Sequence, residues 1–271
     1  MDKREYAEAI AKEIGGKVKE IEKTNGVIQT GIEVKIKGKN ISPTIYIDRM
    51  YENDLCLAKA VELIKEQIAE EIANLPEINT DFLYNYEEVK PKLRARLLNE
   101  KTKAEVFRSA RHYGFSDLII VPYVIIPMST GQGSLKVTLD LVNTWGLTPK
   151  QVIDDALRNV KQATDEYFLT SMMNMFMGGL SNEIDTFGLN VCGNRSGCFG
   201  AIGVIAKRKE LKEAFPDGYI VIPSSVHEVI VLSNEFVDSS TEVDNMINEV
   251  NSSIVSPEER LGTRAYTIGG K

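Results

Sequence analysis

The sequence predicts an α+β protein, with mainly antiparallel sheets, flanking helices and two associated lobes. Strand patterns at residues 17–21, 26–37 and 41–47 follow one another at hairpin spacing. Helical patterns then occur between groups of strands. In a parallel doubly wound sheet, a helix would follow nearly every strand. With 271 residues, 43% of them hydrophobic and 26% charged, the chain is long enough to bury a sizeable core.

The chain opens with an amphipathic helix. Residues 2–14 carry apolar side chains at helical spacing, and Gly15 and Gly16 end the pattern. The three strand patterns that follow are joined by short turns rich in Gly and Asn. They predict a small antiparallel meander.

A long amphipathic helix is predicted to follow the meander. Apolar residues recur every three or four positions over residues 51–74, and Leu75 and Pro76 end the pattern. This ending predicts a division into an N-terminal lobe, 1–78, and a larger lobe, 79–271.

The strands and helices predicted for the larger lobe rest on shorter apolar patterns in the sequence. Strands are predicted at residues 89–97, 115–127, 135–142, 187–192, 200–206 and 219–232. Helices are predicted at residues 100–111, 149–159, 208–215 and 243–254, with another helical stretch reaching Met177. The helix at 149–159 has the clearest start, because Thr148, Pro149 and Gln151 form a capping-box pattern.

The net charge of −7 disfavours a general nucleic-acid binder, yet residues 90–111 carry a local charge of +6. On a strand, Lys90, Lys92, Arg94 and Arg96 would form a row of cations about 6–7 Å apart, close to phosphate spacing on an extended nucleic acid. The row therefore indicates either a nucleic-acid or acidic protein partner, or a solvated and internally paired sheet face.

Polar residues interrupt the apolar pattern of residues 219–232. Ser224, Ser225, His227 and Glu228 suggest a hydrolase, because serine, histidine and a carboxylate form hydrolytic triads. On one strand, however, Ser225 and His227 would stand about 6–7 Å apart, whereas a nucleophile and its base need roughly 3 Å. The competing interpretation is a structural polar group at a bend in the strand.

Methionines cluster near the end of the helical stretch that reaches Met177. The stretch comprises Met172, Met173, Met175, Phe176 and Met177. It would suit a soft protein-binding surface, above all through Met172, Met175 and Phe176, because methionine adapts its shape to different partners. Packing in the core is the alternative explanation.

Few features point to a cofactor, metal or membrane. Cys56, Cys192 and Cys198 are too few for a disulfide framework or a zinc site, and we expect free thiols in the cytoplasm. The segment between Cys192 and Cys198 is expected to be a turn, or alternatively an anion-binding loop. The common nucleotide- and metal-binding motifs are missing, and no apolar run reaches the roughly 18–20 residues of a membrane span.

Several sequence blocks, taken in order, resemble a bacterial domain-of-unknown-function family found in anaerobic gut bacteria and their mobile elements. The blocks include KTNGVIQTGI (23–32), SPTIYID (42–48), IPSSVHEVI (222–230) and NEVNSSIVSPEERL (248–261). Two of them match the family motifs PTIYL and PSSxHEV, except that Ile47 replaces the leucine. The resemblance implies no activity, and its mobile-element association suggests an accessory or host-interaction role.

From these observations we expect a non-enzymatic protein that acts through protein–protein interaction, as an accessory or host-defence factor of a mobile element. A nucleic-acid binder that uses the basic row and a hydrolase that uses the Ser-His-Glu segment are the alternatives. No membrane partner or cofactor is expected, and the oligomeric state is not indicated.

Overall fold

The structure, a computed structural model, describes residues 1–38, 42–74, 79–128, 131–180, 182–236 and 240–269. Contacts along the chain divide it into two compact units. The first comprises Met1–Thr80 together with Ile126–Gly133, and the second comprises Asp81–Ile125 together with Ser134–Lys271.

The N-terminal segment forms helices around a three-stranded sheet. Its elements are α1 (Lys3–Ile14), β1 (Lys17–Glu22), β2 (Ile28–Glu33), β3 (Thr44–Tyr46), α2 (Asp48–Glu52) and α3 (Leu57–Asn74). The strands pair antiparallel in the order β1-β2-β3, which confirms the predicted meander. Helix α1 starts at a capping box formed by Asp2 and Glu5, and Gly15 ends it with a φ of 70°.

The predicted single helix at residues 51–74 is wrong in one respect. Helix α2 ends at Glu52 and α3 begins at Leu57, so two helices replace one. Asp54 lies between them with a φ of 51°, a left-handed conformation that cannot continue a helix. The predicted helix end at Leu75 and Pro76 lies outside the described residues.

The remaining elements alternate short helices with strands. They are α4 (Tyr86–Val89), β4 (Leu93–Asn99), β5 (Arg108–Ser109), β6 (Leu118–Met128), β7 (Gly131–Lys136), α5 (Leu139–Thr144), α6 (Pro149–Gln162), β8 (Tyr167–Ser171), α7 (Met172–Phe176), β9 (Asn190–Asn194), α8 (Gly203–Ala206), α9 (Arg208–Ala214), β10 (Tyr219–Ile222), β11 (Glu228–Ser233), α10 (Ser240–Ser253) and β12 (Tyr266–Ile268).

Two further sheets organise these elements. One has the strand order β4-β6-β5, with β7 also paired to β6. The other is antiparallel throughout, in the order β12-β10-β11-β9-β8. Helices mixed with mainly antiparallel sheets confirm the predicted α+β class.

Helix α6 is the best-predicted element of the second unit. The Thr148 hydroxyl oxygen accepts a hydrogen bond from the Gln151 N–H, and the Gln151 side-chain oxygen accepts one from the Thr148 N–H, so the predicted capping box is present. Its apolar side chains lie in the core beside the sheet that contains β4. Helices α9 and α10 also form close to their predicted positions.

Other predictions for this part of the chain are wrong. Residues 100–111 form no continuous helix, since they include the strand β5. Residues 139–142, the second half of the predicted strand at 135–142, belong to helix α5, and β8 interrupts the stretch predicted as helix up to Met177. Residues 200–206 form helical turns instead of a strand. In each case the short apolar run suits either structure, and tertiary packing decides between them.

Within the described ranges, no helix combines the length and the apolar character that crossing a membrane requires.

Candidate interaction surface

The hairpin of β10 and β11 carries apolar side chains on both faces, as the Val- and Ile-rich pattern predicts. Val229 and Val231 are fully buried and belong to the main core. Ile230 and Leu232, one position out of phase, point to the opposite face, where they line a groove of ≈370 Å³. The sheet therefore has a second apolar face that its own core does not cover.

Helix α10 covers this second face only in part. Its side chains at Val243, Met246, Ile247 and Val250 line the groove, at the spacing of one helix face. Ile247 is buried, whereas Met246 leaves 64% of its surface exposed. Phe236, which lies before α10 in the chain, also lines the groove and is half exposed.

Helix α7 adds large exposed side chains. Ser171 caps it by accepting a hydrogen bond from the Asn174 N–H. Met173, Phe176 and Met177 lie three and one positions apart, and Phe176 and Met177 each expose more than 80% of their surface. Exposed apolar side chains of this size carry a hydration cost that a partner could remove.

Leu189 links α7 to the groove. Its side chain lines the groove, and its carbonyl oxygen accepts a 2.8 Å hydrogen bond from the N–H of Met172, the first residue of α7. Phe187, two residues earlier, is 83% exposed. We call the whole set the apolar surface; it comprises Met173, Phe176, Met177, Phe187, Leu189, Ile230, Leu232, Phe236, Met246 and Val250.

The sequence pointed to this surface through its methionines but missed most of it. Of the five residues named there, Met173, Phe176 and Met177 are exposed, whereas Met172 and Met175 are half-buried. The residues from β11 and α10 were missed, because only the fold brings them to the groove that Leu189 also lines.

The predicted continuous strand at residues 219–232 is wrong, because β10 and β11 form a hairpin whose turn holds the polar segment. Ser224 lines the end of the groove. The Ser225 hydroxyl oxygen accepts a 3.0 Å hydrogen bond from the His227 backbone N–H. Glu228 is the first residue of β11 and pairs with Gly193 of β9.

Both ring nitrogens of His227 already have partners. Nδ1 accepts a 3.1 Å hydrogen bond from the Phe199 N–H, and Nε2 lies 3.4 Å from Glu259 Oε1. A histidine held this way offers Ser225 no free nitrogen to act as a base. The arrangement ties the turn to neighbouring segments, as the structural interpretation of the polar segment requires.

The predicted strand at residues 89–97 is also wrong at its start, so the four cations do not form a row. Lys90 and Lys92 lie in a single 3₁₀ turn that precedes β4. Lys90 Nζ is 3.6 Å from Asp155 Oδ2, and Lys92 Nζ donates to the carbonyl oxygen of Glu88. A local turn has replaced the strand because Pro91 fits the first positions of a helical turn.

Arg94 and Arg96 are on β4 but do not face freely into solvent. Arg94 donates two hydrogen bonds, of 3.1 and 2.7 Å, to the carboxylate of Glu166, which raises the pKa of the guanidinium. Arg96 lies between two aromatic rings, 4.2 Å from the ring centre of Tyr123 and 3.7 Å from that of Phe199. Burial lowers the pKa of Arg96.

Free thiols are spread across the two units. Cys56 and Cys198 are exposed and Cys192 is buried, and burial raises the pKa of the Cys192 thiol to about 12. Asn194 hydrogen-bonds both the N–H and the carbonyl of Cys198, which closes a turn between β9 and a 3₁₀ turn. Among the residues that the structure describes, no three His, Cys, Asp or Glu side chains are grouped so that they could hold a metal ion.

Comparison with known proteins finds one family model that matches nearly the whole chain. The model is described as a family of unknown function (DUF5688) and covers residues 3–268. Neither the curated proteins nor the solved structures contain a match.

Proposed function

The chain belongs to the DUF5688 family of unknown function, and on that premise we propose that it is a non-enzymatic binding protein that acts through protein–protein interaction. One observation supports the proposal above the others. The apolar surface joins a groove, a helix and a loop that together expose several of the largest apolar side chains in the second unit. An apolar groove with large exposed apolar side chains on neighbouring elements is typical of interaction sites.

The size of the exposed groups is sufficient for useful affinity. Burying one large apolar side chain contributes about 1.5–3 kcal/mol, and a few such anchors commonly dominate a protein interface. Phe176 and Phe187 each retain more than 80% of their surface for a partner. Aromatic residues and methionine are also the types most enriched at interface cores.

Methionine supports the same conclusion by its flexibility. Met173, Met177 and Met246 are unbranched and can change rotamer to follow the shape of a partner. A rigid groove with flexible Met side chains beside it therefore suits recognition of a protein segment better than recognition of one small rigid molecule.

We also propose the cellular setting that the sequence resemblance implies. The protein would act in the bacterial cytoplasm as an accessory or host-defence factor of a mobile element. The odd number of cysteines, with Cys56 and Cys198 exposed as free thiols, supports a reducing compartment.

Co-purification from native cells tests the proposed function. A tagged wild-type protein is compared with a double variant, Phe176→Ser and Met177→Ser, and with the control Ile28→Ser. All three residues are more than half exposed, so the substitutions should change stability by less than about 0.5 kcal/mol.

We expect a stoichiometric protein in the eluates of the wild type and the control and its loss from the double variant. Equal recovery from all three proteins would contradict the proposal. Nucleic acid that is lost as salt rises would favour the basic-residue alternative instead. An eluate without any partner would also count against the proposal and would direct effort to an enzyme screen of the Ser225 and His227 turn.

A further inference from the structure

We infer that the partner contributes a positively charged amphipathic segment, whose apolar side chains enter the groove and whose Lys or Arg residues meet acidic side chains around it. The inference rests on the proposed function, since it names the partner of the apolar surface. It follows from how the charges are distributed around that surface.

The two segments that build the apolar surface contain no Lys or Arg. Between Lys161 and Arg195 there are four acidic residues and no cation, and between Lys212 and Arg260 there are ten acidic residues and no cation. These two stretches include α7, the Phe187 loop, the β10-β11 hairpin and α10. The surface is therefore framed by one sign of charge.

The acidic side chains lie close to the exposed apolar ones along the chain. On α10, Glu242 is four residues before Met246 and Glu249 is three residues after it, so both lie on the same side of the helix as Met246. Glu235 directly precedes Phe236. A segment bound in the groove would pass within reach of these carboxylates.

Within the described ranges, the structure gives no ion pair to the exposed acids that flank the surface, which are Glu183, Asp185, Glu235, Glu242 and Glu249. By contrast, Asp154 on α6 binds both Arg108 and Lys150. An external cation would therefore not have to displace an ion pair to reach these acids.

The first cations that follow α10 in the chain are already engaged. Arg260 donates from Nε to the carbonyl oxygen of Val255, and Arg264 lies 3.8 Å from Asp117.

The same charges disfavour other occupants. Two copies joined through this face would bring identical acidic side chains together, and like charges across an interface cost affinity. A nucleic acid or an anionic lipid surface would be repelled for the same reason. A cationic segment is the occupant that satisfies both the apolar groove and the acidic frame.

Synthetic peptides test the inference on the full chain. One probe is an amphipathic Leu/Lys peptide of about 18 residues, long enough to form several helical turns, and its twin carries Glu in place of every Lys. Fluorescence anisotropy measures the affinity of each probe for the wild type and for three double variants.

Each variant isolates one part of the argument. The groove variant, Met246→Gln with Val250→Gln, removes exposed apolar side chains. The rim variant, Glu242→Lys with Glu249→Lys, reverses the flanking charge. Its matched control, Glu13→Lys with Glu66→Lys, makes the same charge change at exposed positions on α1 and α3. Circular dichroism during heating confirms that each variant is folded.

We expect the Lys probe to bind at least about tenfold more tightly than the Glu twin. The rim variant should lose about tenfold of that affinity while the control keeps it, and the groove variant should weaken the Lys probe by a similar factor. Equal binding of both probes through the groove would overturn the inference but leave the proposed function intact.

Other outcomes also overturn the inference. Binding that ignores the groove variant and falls equally in the rim variant and the control would mean non-specific attraction to an acidic protein. Failure of both probes to bind would exclude a cationic segment as the occupant. A dimer in analytical ultracentrifugation that the groove variant dissociates would assign the surface to a second copy of the chain. The proposed function itself is judged by co-purification: it fails if no protein is recovered or if recovery is insensitive to the surface variants.

Discussion

Gly200 lies where three segments meet, and replacing it with alanine should destabilise the second unit. An ideal Cβ at this position would be 2.4 Å from the backbone nitrogen of Asn194 and 2.5 Å from the backbone oxygen of His227. Both contacts are with main-chain atoms, so no side-chain rotation can relieve them. The missing Cβ is therefore what allows the β9 turn to approach the turn that contains His227.

The size of the effect follows from two opposing contributions. Gly200 does not have a positive φ, so alanine can adopt its backbone conformation and should gain about 0.4–1 kcal/mol from the less flexible unfolded chain. Overpacking against the two backbone segments should cost about 1–3 kcal/mol, occasionally more. We expect a net loss of roughly 1–2 kcal/mol, or about 2–8 °C in melting temperature.

Trp145 provides the assay. It is the only tryptophan of the chain, and its indole N–H donates a 2.7 Å hydrogen bond to the carbonyl oxygen of Leu83 within the second unit. Its fluorescence during heating and in urea therefore reports unfolding of that unit. The matched control is Gly188→Ala, whose new Cβ would meet only the side chain of Asp185, a group that can rotate away.

The reasoning would be refuted if the Gly200→Ala protein melted within about 1 °C of the wild type, or if the control lost as much stability. The first result would mean that the two turns separate at little cost. The second would mean that the loss of stability comes from an effect common to both glycines, on the unfolded chain or on the backbone conformation, and not from close packing at Gly200.

Three further changes have simple expected outcomes. A thiol reagent at pH 8 should quickly modify Cys56 and Cys198 but not Cys192 of the native protein. With a pKa of about 12, only about one Cys192 thiol in ten thousand is ionised at that pH. Rapid modification of all three thiols would contradict the burial of Cys192. Thr148→Ala removes the α6 cap and should cost about 0.5–2 kcal/mol in urea unfolding, so an unchanged midpoint would argue against the capping box. Leu169→Ala empties a site that is 1% exposed and should cost about 2–5 kcal/mol; a loss below 1 kcal/mol by the same assay would mean that the core refills the cavity.

Local sequence signals explain why parts of the fold could be predicted. The capping boxes at Asp2 and Thr148 satisfy helix N–H groups through residues only three positions away. The meander of β1, β2 and β3 likewise depends on short turns between neighbouring strands. Such features are visible in the sequence because every residue that makes them is close in the chain.

The basic row shows a feature that local sequence patterns predict wrongly. Alternation of cations from Lys90 to Arg96 is compatible with a strand face, but Pro91 favours a helical turn that removes Lys90 and Lys92 from the strand. Arg94 finds its partner 72 residues away, at Glu166. An ion pair between residues so far apart in the chain leaves no periodic pattern in the sequence.

The polar segment at Ser225 and His227 shows the same limit for chemistry. Residue types alone suggested a triad, whereas the hairpin places the segment in a turn and occupies both nitrogens of His227 with Phe199 and Glu259. Whether such a segment can act in catalysis depends on which groups lie within about 3 Å of each other, and the residue types alone do not contain that information.

The sequence by itself determined the α+β class, the N-terminal meander, the capped helix α6 and the presence of an apolar segment around Phe176. These depend on contacts between neighbours in the chain and on the period of the apolar pattern. Tertiary structure alone decided that Leu189, Ile230 and Met246 lie around one groove, and that, in the part of the chain that the structure describes, the exposed acids flanking it form no ion pair. The physical reason is that burial is settled by packing between distant segments: the strand pattern marks both faces of β11 as apolar, but only the fold places one face in the core and leaves the other partly open beside α10.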